Sequence, residues 1–237
     1  MAHRPASIAA FVLFIASGAP AQITETPEQR CARAVGDDSI AACSDVIGIG
    51  EGGAAIEWAY VARAHAYESQ QLYTSAISDL NDALALKKKD PALLGERARD
   101  DVAVGNYADA VGDYDTLIDL KPSADAYAAR CRVRAIADVD LDDATDDCDD
   151  ALKLAPQDGA AFEARCFVNV RKSAWAAAIA DCSAALNADW KMASALYLRG
   201  IAKMKSGDTK GADGDLAAAE TLDPRIAETF EGYGIKP

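Results

Sequence analysis

The sequence predicts an all-α solenoid built from stacked antiparallel helix pairs. The first observation is a repeat with a period of 34 residues, in which an alanine is followed three residues later by an aspartate. The second is that apolar side chains near each alanine recur at helical spacing, and the third is that proline ends several of these stretches. Units of this size cannot bury an apolar face alone, so they stack on their neighbours. The repeated alanines are Ala42, Ala76, Ala110, Ala144, Ala178 and Ala212, and the aspartates are Asp45, Asp79, Asp113, Asp147, Asp181 and Asp215.

The first 21 residues have the features of a signal peptide that is cleaved after export. A basic start with His3 and Arg4 precedes an apolar run over residues 6–16, and Ala19-Pro20-Ala21 provides small residues at the cleavage site. The apolar run is about ten residues long, whereas a membrane-spanning helix needs about twenty. We therefore expect cleavage after Ala21 and no stable membrane insertion of the mature chain.

The mature chain is interpreted as three consecutive regions. Residues 22–56 form a helical hairpin, a partial repeat that turns near Gly36. Residues 57–223 contain five full repeat units, and residues 224–237 form a capping helix and tail. Turns with a glycine that ends one helix and a polar residue that starts the next favour two helices in each unit.

Each half of the repeat has its own residue pattern. The first half contains an arginine followed by a small residue, which lets the two helices of a unit approach closely. In the second half, the repeated alanine, a large or sulfur-containing side chain and a small or apolar residue share one helical face. Proline follows at Pro122, Pro156 and Pro224. The arginine and small-residue pairs are Arg63-Ala64, Arg97-Ala98, Arg130-Cys131, Arg165-Cys166 and Arg199-Gly200.

On these residues, roughly positions 30 to 231 resemble the tetratricopeptide repeat (TPR) family in period, small residues and terminal prolines. The pattern departs from the family at Trp190, which stands where a proline is expected, and at Pro91, which falls late. The resemblance implies a right-handed superhelix whose first helices line a concave groove that holds peptides or partner proteins. The style of the repeat resembles that of exported bacterial members.

The recurring arginines and aspartates predict a structural ladder of ion pairs. Every unit contains both residue types, and Arg30 with Asp45 extends the series into the N-terminal hairpin. Regularity of this kind is typical of structure, because a functional site is rarely repeated in every unit. Which aspartate pairs with which arginine is not determined by the sequence.

Six cysteines in an exported chain predict disulfides, because an oxidising compartment preserves them. The repeat alignment places one cysteine on the first helix and one on the second helix of the same unit, at positions that face each other. The predicted bonds are Cys131–Cys148 and Cys166–Cys182, and they leave Cys31 to pair with Cys43 across the hairpin. Each loop of this length contributes about 3 kcal/mol in the chain-entropy model.

A helical-wheel projection of the first helices gives a candidate partner-binding groove. Its C-terminal end is apolar and aromatic, which predicts an anchor site for a peptide unless the C-terminal helix folds over it. Two arginines in its middle are candidates for holding a carboxylate. The candidate residues are Trp58, Val61, His65, Arg99, Arg132, Phe167, Val170, Tyr197, Ile201 and Met204.

Charge and residue inventory exclude several functions. The net charge of −14 argues against nucleic acid as a partner, because phosphate binding needs clustered Lys and Arg. The chain beyond the signal contains one histidine, His65, and no C-x-x-C motif, so we expect no catalytic residues, no metal and no cofactor.

The sequence therefore predicts a non-enzymatic scaffold, periplasmic or secreted, that binds a protein or peptide partner along its groove. One alternative is a structural solenoid subunit that assembles with copies of itself, which an apolar patch on the last helix would favour. A less favoured alternative is an accessory subunit of an envelope enzyme. The partner and the pathway are not identified by the residues.

Overall fold

The computed structural model describes residues 25–33, 36–49 and 56–237. The predicted signal peptide, residues 1–21, lies outside the described residues. Within the described part, none of the helices has the length and apolar character needed to span a membrane. The regular structure in these residues is entirely helical, so the prediction of an all-α solenoid is confirmed.

Thirteen helices are described, and consecutive helices pack as antiparallel neighbours. From α3 onward, each odd-numbered helix up to α11 pairs with the helix that follows it, and each pair also contacts the next pair. In chain order the helices are α1 (Pro27–Arg33), α2 (Asp37–Ile49), α3 (Glu57–Ser69), α4 (Tyr73–Leu86), α5 (Pro91–Val104), α6 (Tyr107–Leu120), α7 (Ala124–Ala137), α8 (Leu141–Leu154), α9 (Gly159–Arg171), α10 (Trp175–Ala188), α11 (Ala193–Ser206), α12 (Thr209–Leu222) and α13 (Ile226–Gly232).

Small residues let the two helices of a pair approach closely. The repeated alanines Ala76, Ala110 and Ala144 are fully buried. At Gly200 on α11, an added Cβ atom would lie 2.8 Å from Cγ of Leu216 on α12, a distance that real Cβ atoms do not adopt. The small residue after each unit arginine is thus a requirement of packing between the paired helices.

Polar caps and left-handed residues define the helix ends. Asp90, Ser123 and Asp158 each accept a hydrogen bond from a backbone N–H in the first turn of α5, α7 and α9, where the helix leaves such donors unpaired. Gly105 and Gly207 end α5 and α11 with positive φ angles of 84° and 95°. A glycine adopts this conformation without the steric penalty of a side chain.

The arginines of the repeat hold each helix pair together. In each of the five pairs from α3 to α12, the arginine on the first helix donates through Nε and Nη2 to both oxygens of the repeated aspartate on the second helix, at 2.5–2.9 Å. The aspartates are 3–8 % exposed. The aromatic residue three positions earlier contributes in three pairs, where the guanidinium lies 5.7–5.8 Å from the ring of Tyr60, Tyr127 or Phe162.

The same arginines also join neighbouring pairs. Nη1 of each one donates to a polar side chain on the second helix of the preceding pair, at 2.5–3.3 Å. One guanidinium therefore connects three helices, which the sequence pattern alone did not indicate. The five acceptors are Ser44, Asn81, Asp115, Asp149 and Ser183.

Three disulfides staple helix pairs, with the connectivity expected from the repeat alignment. Cys31 bonds to Cys43 between α1 and α2, and the other two bonds join α7 to α8 and α9 to α10. In each of these two bonds, one cysteine replaces the small residue that follows the unit arginine in the other pairs. Its partner cysteine replaces the large side chain that meets this small residue. The cysteines are almost completely buried, so these bonds belong to the core of each pair.

Candidate functional site

Two adjoining cavities open between the first helices of the middle and C-terminal pairs. One, of about 420 Å³, lies between α5 and α7, and the other, of about 460 Å³, lies between α7, α9 and α11. Asp125 and Ala129 line both cavities. The two cavities therefore form one continuous surface, which we call the central groove. Arg99 lines the first cavity and Arg132 the second, as the helical-wheel projection placed them.

The first cavity combines an apolar floor with two cations that have no partner. Tyr114 and Leu117 from α6 and the backbone of Gly95 form the floor. Within the part of the chain that the structure describes, the side chains of Arg99 and Lys121 make no hydrogen bond or ion pair. Burial raises the pKa of Tyr114, so its hydroxyl stays protonated at neutral pH and is available as a donor or acceptor.

The second cavity contains a paired arginine. Nη1 of Arg132 donates to Oε2 of Glu163, whose side chain is almost completely buried on α9. The other carboxylate oxygen of Glu163, Oε1, is buried without a hydrogen-bond partner among the described residues. Arg132 is thus already paired within the chain through Nη1, and the expectation that it receives a partner's carboxylate stays a prediction.

The apolar end of the predicted groove is covered by the chain's own C-terminal helix. Phe230 of α13 stacks on Tyr197 with ring centroids 5.1 Å apart and lies 5.4 Å from the ring of Phe167. Phe167 and Tyr197 are 0 % and 1 % exposed, and Val170 and Ile201 are buried with them. The expectation of an exposed anchor at these residues is wrong, because the alternative, in which the last helix folds over them, is what the structure shows. Met204 remains partly exposed.

At the N-terminal end, the predicted groove residues mostly serve packing. Trp58 packs against the cluster formed by α1 and α2, and Val61 packs against the cluster between α3, α4 and α5. His65 is half exposed, and its Nε2 lies 3.1 Å from Oε2 of Glu96 on α5. This polar contact joins α3 to α5, the first helices of two neighbouring pairs.

A buried carboxyl group on α5 lies near a carboxyl group of α3, the neighbouring first helix. Asp100 on α5 is 5 % exposed, and its Oδ2 is buried without a hydrogen-bond partner among the described residues. Burial first, and then the charge of Glu68, raise the pKa of Asp100 to about 7. Because a buried carboxylate without a partner is costly, this environment favours the protonated form of Asp100.

The described residues offer no metal centre. They contain no group of three or more His, Cys, Asp or Glu side chains arranged to hold a metal ion, and the cysteines are all in disulfides. The chemistry that the central groove supports is recognition, since it combines apolar surface with a small number of polar groups.

The sequence signals for this site were uneven. The wheel found Arg99 because it lies on the first helix, but it missed Lys121 and Tyr114, which come from α6 and the turn that follows it. Phe230 was missed because it lies beyond the last repeat. An aromatic residue in a short apolar helix, three residues before Tyr233, was the available signal for it.

The architecture and the groove together define a TPR-type solenoid. No protein-family model matches the chain, and no curated protein matches it. Solved structures do match. A TPR protein from Parabacteroides merdae superposes with a TM-score of 0.68 at 14% identity, over 82% of this chain and 80% of that one. TTC0263, a thermophilic TPR protein of Thermus thermophilus, has a TM-score of 0.62 at 17% identity, over 75% of this chain and 97% of that one.

A third similar structure is YrrB, described as a TPR protein with an unusual peptide-binding site. It matches with a TM-score of 0.52 at 16% identity, over 82% of this chain and 98% of YrrB. Identities this low show a shared fold. The chain therefore has the TPR fold that its repeat pattern indicated.

Proposed function

We propose that this protein is a non-enzymatic, exported scaffold that binds a protein or peptide partner in its central groove. The observation that carries the proposal is the cavity between α5 and α7, where Arg99 and Lys121 stand unpaired beside an apolar floor. In a chain with a net charge of −14, two neighbouring cations without partners are a specific arrangement. They fit a partner segment that presents a carboxylate next to an apolar side chain.

The similar structures and the disulfides support parts of this proposal. YrrB, which shares the fold, is described as having a peptide-binding site. Three buried disulfides are typical of proteins that fold outside the reducing cytoplasm, which supports export.

Export is tested by fractionation of the native cells together with mass spectrometry of the mature N-terminus. A chain that begins at Gln22 is the expected product, and an uncleaved chain in the cytoplasm would contradict export.

The groove is tested with a library of short peptides that have free or amidated C-termini. The wild-type chain should select peptides in which an acidic group, either a side chain or the terminal carboxylate, adjoins an apolar residue. Arg99→Ala should weaken their binding about ten-fold or more, because a hydrogen bond to a charged group contributes about 1.5–3 kcal/mol. Lys121→Ala should act in the same direction.

Lys88→Ala is the matched control, since Lys88 is exposed, unpaired among the described residues and outside the central groove. Equal binding by the Arg99→Ala and Lys88→Ala variants would contradict the proposed site. The self-assembly alternative finds no support in the last helix, because its apolar residues Ile226 and Phe230 face inward and are buried.

A further inference from the structure

The C-terminal segment, residues 226–237, which we call the tail, lies against the first-helix face of the solenoid. Its helix α13 has α11 and α12 as backbone neighbours, yet its side chains reach further back along the chain. Ile226, Phe230 and Ile235 are buried in one cluster with residues of α7, α9 and α11. The tail therefore reaches from the last helix pair back to Phe167 and Arg171 on α9, which is more than a cap on the last pair requires.

A single arginine fixes the end of the tail. Nη2 of Arg171 donates to the carbonyl oxygen of Tyr233 at 2.6 Å, in addition to the carbonyl oxygen of Ile136 at 2.9 Å. Nε of the same side chain donates to the carbonyl oxygen of Ala135 at 2.8 Å. Two of these three bonds go to the C-terminal end of α7 and do not involve the tail. Arg171 therefore keeps partners if the tail moves away, so release does not leave it unsatisfied.

The surface beneath the tail has a defined chemistry. Phe167 and Val170 on α9, with Tyr197 and Ile201 on α11, form an aromatic and aliphatic trough that fits the ring of Phe230. The tail meets it with the pattern Phe-x2-Tyr-x-Ile, while its acidic residues stay exposed. These four trough residues lie on the face that forms the central groove nearby, so the tail occupies a continuation of that groove.

The tail is connected to the solenoid by a short linker. Asp223, Pro224 and Arg225 separate α12 from α13, and the first of these caps the turn through its side chain, which accepts from the backbone N–H of Arg225 at 2.9 Å. A segment on such a short tether competes with an external segment at a high effective concentration. Binding of anything else in the trough thus requires displacement of the tail.

We propose that the tail is an intramolecular ligand of the trough, and that the trough accepts in its place a partner's short segment with the same spacing of side chains, aromatic-x2-aromatic-x-aliphatic, at the end of a helix. This inference rests on the proposed function, since it names a second part of the same face and the partner chemistry that fits it. The tail then sets a threshold for binding, because the apparent affinity of an occluded site is reduced by the fraction of molecules in which it is open.

The test uses the full mature chain and a fluorescein-labelled synthetic peptide with the sequence of residues 224–237. Fluorescence anisotropy measures its affinity for the wild type, for Phe230→Ala and for Thr229→Ala, a matched control at the exposed neighbouring position. Phe230→Ala should bind the peptide at least about ten-fold more tightly than the other two, because its own tail competes less well.

Equal affinity of Phe230→Ala and Thr229→Ala for the peptide, in variants that retain their helical circular dichroism, would overturn the proposal and make the tail a permanent part of the core. If Phe230→Ala does not fold, hydrogen exchange on the wild type decides. Amides of residues 230–235 should exchange at least about 100-fold faster than those of residues 196–202, and equal protection overturns the proposal.

Two further readouts separate the sources of failure. Light scattering should show a monomer at the highest attainable concentration. A dimer formed by exchange of tails would instead identify a second copy of the chain as the occupant of the trough and overturn the proposal of a separate partner. The library peptides that depend on Arg99 report on the central groove independently. If only the tail inference is wrong, these library peptides still bind. If only the central-groove proposal is wrong, they do not bind, and the anisotropy result is unchanged.

Discussion

Removal of the Asp181 carboxylate should destabilise the solenoid far more than removal of Asp149, although both bind the same arginine. Arg165 donates to Asp181 at 2.7 and 2.9 Å and to Asp149 at 2.8 Å. The distances are similar, but the side chains are 10 % and 44 % exposed, respectively. The two aspartates therefore differ in burial, in bidentate geometry and in one further hydrogen bond, which Nδ2 of Asn169 donates to Asp181 at 2.8 Å.

The magnitudes follow from that difference. Loss of one partner of a buried ion pair costs about 3–5 kcal/mol, because the other charge is left without compensation. Arg165 is about a quarter exposed and keeps Asp149, so we expect about 2–4 kcal/mol for Asp181→Ala. Exposed pairs contribute about 0.2–1 kcal/mol, which is the expected loss for Asp149→Ala.

Urea unfolding followed by far-UV circular dichroism, with the disulfides intact, measures both losses. Hydrogen exchange of α9 and α10 is the second readout, because a solenoid opens in contiguous pieces and a single midpoint can conceal local opening. High salt should reduce the effect of Asp149→Ala and leave that of Asp181→Ala nearly unchanged. Equal losses for the two variants, or a loss below about 1 kcal/mol for Asp181→Ala, would refute the burial argument.

Three other variants test the packing and the pH response. Since the folded state holds a proton on Asp100 that the unfolded chain has already released, the free energy of unfolding should fall as pH rises from about 4 to 7. Asp100→Asn should flatten this dependence in chemical unfolding at pH 5 and 8, and an unchanged slope would count against a raised pKa of Asp100 in the folded state. Gly200→Ala should lower stability by about 1–3 kcal/mol through contact with Leu216, whereas Gly214→Ala, which meets open space, should raise it by about 0.5–1 kcal/mol. Thermal unfolding of the two glycine variants separates contact from helix propensity, and the same sign for both would contradict the packing argument.

The repeat pattern predicted the fold because its period is a consequence of packing. A small residue is needed wherever two paired helices approach, as at Gly200, and an aspartate is needed wherever an arginine is buried against it. The recurrence predicted a ladder of arginine–aspartate ion pairs, and the structure identified which aspartate each arginine binds. Its third contact, to the preceding pair, did not follow, because the acceptor there is Ser, Asn or Asp and so has no single residue type to recognise.

The site was predicted only in part, for a physical reason. A helical wheel identifies the face on which Phe167 and Tyr197 lie, but it does not identify what covers that face. The covering group, Phe230, comes from a seven-residue helix outside the period, and its position depends on tertiary contacts. Replacing Phe167 and Tyr197 is for the same reason a poor first test of partner binding, because loss of either buried ring would also weaken the core.

The disulfides have a consequence for mechanical extension. Each bond closes a loop inside one helix pair, and none joins two pairs, so the angle between neighbouring pairs can change while all three bonds stay intact. If the chain is pulled from its ends, the 17-residue separation between Cys131 and Cys148 cannot lengthen, and roughly 60 Å of contour length is withheld. Under tension the molecule would therefore behave as a chain of short locked segments joined by extensible ones, and reduction would release the locked segments.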